Sequence, residues 1–121
     1  MQMITVKLQG KEVRAALLNP DVTRSYEDGF KHCFDRINSA ARLETGSEGI
    51  REQCQAVIDY VSDIFGDESA KTVFGSQTDL LTCLEVLEEM QELYEKQVNP
   101  ILREKTHALK EKLKQKGESG A

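Results

Sequence analysis

Few side chains in this sequence could do chemistry. As metal ligands or nucleophile pairs it offers His32 and His107 with Cys33, Cys54 and Cys83. His32 beside Cys33 invites a metal reading together with Cys54, Cys83 and His107, but no CxxC or HxxxH spacing supports it. Each cysteine instead falls on the apolar stripe of a separate helical pattern. An odd number of them, never closely paired, reads as buried reduced thiols acting as small core residues. Carboxylates are more abundant, and Glu85, Glu88, Glu89, Glu92 and Glu95 share the outer face of one helical pattern. Acid–base work needs carboxyls that converge in a perturbing pocket. These lie beside no apolar wall and read as a solvated face, the like-charged pairs Glu85/Glu89 and Glu88/Glu92 each costing roughly 0.2–0.5 kcal/mol. GxxxxGK and GxGxxG phosphate cradles, GxSxG and HExxH are all missing. The reading is a non-enzyme with no catalytic, cofactor or metal site.

Charge says more. The net value is −5, but from residue 44 to 95 there are thirteen acids against Arg51 and Lys71, and from 96 to 116 seven bases against Glu104 and Glu111. The basic C-terminal segment can therefore lie against acidic helices of its own chain or of another copy. Nucleic acid explains this less well, because the bases are confined to one tail. No run is long enough for a membrane span and the N-terminus lacks a signal-peptide layout, so a cytosolic protein is expected.

The elements that must position these residues are mainly helical. With 121 residues, 6% aromatic and 31% charged, one core built from Leu, Ile, Val and Ala is expected. Ile4, Val6 and Leu8 alternate with polar residues, and the alternation resumes at Val13, Ala15 and Leu17. A Gly10-Lys11 turn would pair Leu8 with Val13, Val6 with Ala15 and Ile4 with Leu17, leaving Lys7 opposite Arg14 on the outer face. Such a lone hairpin must pack on helices or be extended by another chain.

Asn19-Pro20-Asp21 starts a helix as cap, first helical residue and first-turn acid. Its stripe is Val22, Tyr26, Phe30, Cys33, Phe34, Ile37 and Ala41, ending near Leu43. Gly29 inside it marks a close helix crossing or a tolerated weak spot. After the break at Thr45-Gly46-Ser47-Glu48-Gly49, with Ser47 the expected cap, a second stripe runs through Ile50, Cys54, Val57, Ile58, Val61, Ile64 and Phe65. Gly66 is the expected left-handed stop. Asp67 then caps a short turn through Ala70 and Val73 to Phe74, where Phe65 and Phe74 plug the bottom of the core. Ser76 to Asp79 starts a fourth helix whose stripe is Leu80, Cys83, Leu84, Leu87, Met90 and Tyr94. Asn99-Pro100 restarts or kinks the chain. Beyond it Leu102, Leu109 and Leu113, flanked by Ile101 and Ala108, make a narrow seam suited to a partner helix.

The fold class is thus mainly α, an N-terminal β-hairpin followed by a bundle of four to five helices. Residues 1–98 form the hairpin-plus-helical domain, 99–116 a C-terminal basic helix, and 117–121 a disordered tail.

The segment Ile50-Arg51-Glu52-Gln53-Cys54-Gln55-Ala56-Val57, then Ile64-Phe65-Gly66, Val73-Phe74-Gly75 and Leu80-Leu81-Thr82-Cys83-Leu84, resembles a family of small tail proteins from tailed phages and prophages of Gram-positive bacteria. The resemblance covers roughly residues 4–98 and rests on pattern and short motifs. It implies a tail assembly chaperone that works in the host cytoplasm and binds the long helical tape-measure protein. It would keep that client soluble and help tail-tube subunits assemble around it, several copies coating one client. The seam of Leu102, Leu109 and Leu113 is the expected partner-binding surface, and the protein is expected to form a homo-oligomer. Two alternatives stay open, a structural component of the virion and an adaptor that binds a host protein through the helix carrying Glu85 to Glu95.

Overall fold

The computed structural model describes residues 1–42 and 46–119. It is mainly helical, an antiparallel hairpin followed by five α-helices. Strands β1 (Ile4–Leu8) and β2 (Lys11–Ala15) are joined by Gln9-Gly10, one residue earlier than Gly10-Lys11. Gln9 and Gly10 have φ of 53° and 75°, positive at both central positions as a type I′ turn requires, and this turn matches the twist of a two-residue hairpin. The pairing therefore shifts by two residues from the expected one, so Val6 faces Val13 and Ile4 faces Ala15, while Leu17 lies beyond the ladder. A shift of two preserves the pleat, and Val6, Leu8, Val13 and Ala15 all stay buried. On the outer face it sets Lys7 opposite Glu12 rather than Arg14. An opposite-charge pair replaces the expected repulsion.

Asn19 caps α1 (Pro20–Ala40), its Oδ1 accepting from the backbone N–H of Asp21 at 3.0 Å and of Val22 at 3.3 Å. The helix stops short of Leu43, which lies outside the described residues with Glu44 and Thr45. Helix α2 (Gly46–Phe65) already contains Ser47 in its first turn, so Ser47 is not its cap. Gly66 follows at φ 95°, ψ 160°. This is an extended, glycine-only conformation, not the left-handed helical stop, and it sends the chain straight into α3 (Asp67–Phe74). Asp67 is inside α3 and accepts from the Ser62 hydroxyl of the preceding helix instead of capping its own. Asp79 caps α4 (Leu80–Gln91), accepting from the Thr82 N–H at 2.8 Å. That bond holds the Asp79 carboxyl below its ordinary pKa.

Helix α2 is the centre, packing on α1, α3, α4 and β2. Its Val57 and Val61 are wholly buried with Leu8, Leu17, Met90, Leu93 and Val98. Phe65 and Phe74 join the same core. Gly29 marks a close crossing: a Cβ there would lie 2.7 Å from Tyr60 Cε1 and 2.8 Å from Cδ1. The Tyr60 ring occupies the space a side chain would need, and its hydroxyl donates to the Tyr26 carbonyl at 2.7 Å. Cys33, Cys54 and Cys83 are buried free thiols. Burial pushes the Cys33 thiol up to about 11 and the Cys83 thiol up to about 12.

Four expected stripe residues lie elsewhere, among them Ala41, which is exposed at the end of α1 where Ala40 is buried in its place. Ile50 and Phe34 are each 49% exposed, and Leu84 is 39% exposed while Val86 on the same helix is fully buried. Helix α4 is apolar on more than one side, so periodicity alone did not choose its inner face.

Candidate partner-binding surfaces

The expected seam belongs to α5 (Asn99–Ser119), and what aims this helix is the turn before it. Residues Tyr94–Val98 form a π-helical turn, in which bonds run from i to i+5. The Asn99 N–H bonds the Tyr94 carbonyl accordingly. The wider turn brings Leu93 and Val98, five apart, into the core together, both at 0% exposure. Side chains of this stretch also fasten the hairpin. Gln97 accepts from the Lys7 N–H at 2.7 Å and donates to the Lys7 carbonyl at 2.8 Å, standing in for a third strand along the outer edge of β1. Glu89 of α4 accepts from the Gln9 backbone N–H at 3.0 Å and from Gln9 Nε2 at 2.7 Å, gripping the turn itself. Glu89 is therefore a structural anchor and not part of the solvated acidic row.

Aromatic rings complete the mounting. The Tyr26 hydroxyl donates to the Met90 carbonyl, and that of Tyr94 to the Leu17 carbonyl at 2.5 Å. The Tyr26 and Tyr94 rings lie 4.6 Å apart. Burial, with Tyr94 and Glu27 nearby, pushes the Tyr26 phenol up to about 12, and burial raises Tyr60 as well.

From this mount α5 runs outward as 21 residues, roughly 31 Å at 1.5 Å per residue. Asn99 keeps helical φ, ψ of −60° and −34° despite the following proline, so the chain passes through Asn99-Pro100 without leaving the helix. The helix continues to Ser119, past the expected boundary at 116. The strong helix formers Lys112 to Lys116 carry it across Gly117, whose cost is about 1 kcal/mol. Gly120 and Ala121, the rest of the expected disordered tail, lie outside the described residues. Its main packing is on the π-helical turn.

Leu102, Leu109 and Leu113 lie on one side of α5 at steps of seven and four, with exposures of 46%, 50% and 69%. The structure separates their surroundings. Leu102, with Ile101, borders a groove of about 540 Å³ whose other walls include Met1, Ile4 and Leu18. Leu109 and Leu113 stand farther out along the helix.

A second apolar surface was not anticipated as a site. Phe30 and Phe34 of α1 and Leu84 and Leu87 of α4 line a groove of about 420 Å³, bordered by Glu88 and Gln91. Its warning in the sequence was the surplus of apolar residues on α4, where Leu80, Leu81, Cys83, Leu84, Val86 and Leu87 exceed what one face can bury.

Away from these grooves one polar cluster is paired within itself. Arg36 of α1 bonds Glu52 at 2.6 Å and Asp59 at 2.8 Å on α2, and these bonds raise its pKa. His32 shares the groove beside this cluster, whereas His107 is on α5. Among the described residues no three His, Cys, Asp or Glu side chains come together to hold a metal ion, and no helix is long and apolar enough to cross a membrane. The arrangement can hold another polypeptide through apolar contact and charge.

The sequence model described as a family of unknown function (DUF6673) matches residues 9–119, and the chain belongs to that family. No curated protein and no solved structure matches it.

Proposed function

We propose that this DUF6673 member is a non-enzymatic binding protein that holds helical segments of another polypeptide, and that its client is the tape-measure protein of a phage tail, for which it acts as an assembly chaperone. The observation that carries this reading is α5, a 21-residue helix held away from the body with Ile101, Leu102, Leu109 and Leu113 about half exposed or more. The phage assignment itself rests on the sequence resemblance.

Fully burying a leucine stabilises by about 1.5–3 kcal/mol. Four residues already half covered retain about half of that each, some 3–6 kcal/mol together. Association costs about 4 kcal/mol or more in lost freedom, so one copy holds a client weakly. Several copies on one long client bind far more tightly through effective concentration. Weak individual grips also allow release as tail-tube subunits replace the chaperone.

The test is co-expression of the tape-measure protein with the wild-type chain and with Leu102→Asp/Leu109→Asp/Leu113→Asp. The wild type keeps the client soluble and co-purifies with it, and the triple variant does neither. A client that is soluble and monodisperse alone, or that binds the variant equally, refutes the reading. Mass spectrometry of purified particles separates a chaperone, absent from the finished tail, from a structural subunit.

A further inference from the structure

We propose that the α1–α4 groove receives α5 of a second copy of this chain, so that copies assemble head to tail. The groove offers Phe30, Phe34, Leu84 and Leu87 between two helices, the geometry that takes an amphipathic helix. On its α4 side the groove is bordered by Glu88, with Glu85 one turn earlier on the same helix, while Glu92 is paired with Lys96 at 2.7 Å; α1 is mixed in sequence, with Glu27, Lys31 and Asp35. Helix α5 has the complementary character, apolar at Leu109 and Leu113 and net basic over residues 103–116, with Arg103, Lys105, Lys110, Lys112, Lys114 and Lys116 against Glu104 and Glu111. The lengths agree: Leu102 to Leu113 spans roughly 16 Å and the 12 residues of α4 roughly 18 Å.

The occupant is not the chain's own α5. Glu92 (φ −94°, ψ 0°) ends α4, and from Leu93 (φ −57°, ψ −51°) through the π-helical turn to Asn99 (φ −60°, ψ −34°) and on into α5 the backbone is helical. Folding α5 back would break that helix and expose Leu93 and Val98, both fully buried. The groove and α5 are different surfaces, so the contact is heterologous and propagates into a ring or a filament. Association needs no client and stands whether or not the client assignment does. Only its corollary, that a client displaces α5 from the neighbouring groove, rests on that assignment.

Sedimentation velocity of the full chain over a range of concentrations tests this, with Leu109→Asp/Leu113→Asp as the tail variant and Leu84→Asp as the groove variant. Phe34→Asp is a second groove variant should Leu84→Asp shift the urea midpoint. The wild type forms concentration-dependent oligomers that weaken as salt screens the charges. Each variant alone weakens association by about 100-fold and sediments as a monomer. Mixed in equal amounts, the tail variant supplies an intact groove and the groove variant an intact α5, and they form a heterodimer that grows no further. A wild type that is monomeric at about 100 μM, a variant that associates as the wild type does, or a mixture that stays monomeric overturns the proposal.

Discussion

Gly29→Ala gives opposite signs for two pictures of the same helix. In an exposed helix interior, replacing Gly by Ala stabilises by about 0.8–1 kcal/mol. Here the new Cβ would sit 2.7 Å and 2.8 Å from two carbons of Tyr60, whereas carbon atoms pack best at about 3.5–4 Å. The ring must retreat by about 1 Å. It is 3% exposed, tied by its hydroxyl to the Tyr26 carbonyl at 2.7 Å, and packed with its centroid 6.3 Å from those of Tyr26 and Phe30. Any retreat pushes a neighbouring ring or lengthens that bond. Overpacking of this kind costs about 1–3 kcal/mol, so after the propensity gain Gly29→Ala destabilises by about 1 kcal/mol. At a urea slope of about 1–3 kcal/mol/M the midpoint falls by roughly 0.3–1 M with an unchanged slope. Tyr60→Leu removes the obstructing ring at its own cost, and in that background Gly29→Ala becomes neutral or stabilising. The double-mutant cycle then reports a coupling of about 1–2 kcal/mol. A rise in the midpoint for Gly29→Ala in the otherwise wild-type chain would refute the close-crossing argument.

Other expectations follow from the mounting of α5. Leu93→Ala empties a fully buried site and costs about 2–5 kcal/mol, whereas Leu113→Ala changes stability by less than about 0.5 kcal/mol; equal effects in thermal or urea unfolding would contradict the assignment of inner and outer faces. Glu89→Ala removes the acceptor of the Gln9 N–H and side-chain amide, costing about 1–2 kcal/mol and speeding hydrogen exchange at the Gln9 amide; unchanged exchange would show that the carboxylate does not grip the turn. Alkali destabilises the fold. The Tyr26 pKa rises from 10.0 to about 12 on folding and those of Cys33 and Cys83 from 9.0 to about 11 and about 12. The unfolded chain then loses its protons first, so this contribution is intact below pH 9 and drains away between about pH 9 and 12. A urea midpoint that holds steady across that window would refute it.

Much of this architecture was legible in residue order because it depends on local physics. Asn19-Pro20 and Asp79 stop and start helices through side chains that reach only two or three residues along the chain, and alternation from Ile4 to Leu8 needs no partner to declare a strand. The basic, narrow-striped character of α5 was equally plain. Tertiary contact decided what local physics leaves degenerate. The hairpin register shifted by two because both registers bury the same face, and the turn geometry with Glu89 and Gln97, some 80 to 90 residues away, selected one. On α4 the set with Leu84 and the set with Val86 both fit helical spacing. Only packing on α2 turned Val86 inward and left Leu84 to the groove with Phe34. The π-helical turn had no periodic signature, since Leu93 and Val98 reach one face only after the backbone widens, and burial of both offsets the poorer hydrogen bonding. What stands outside the body was set by composition; which of its apolar residues stayed outside was settled by the space the other helices left.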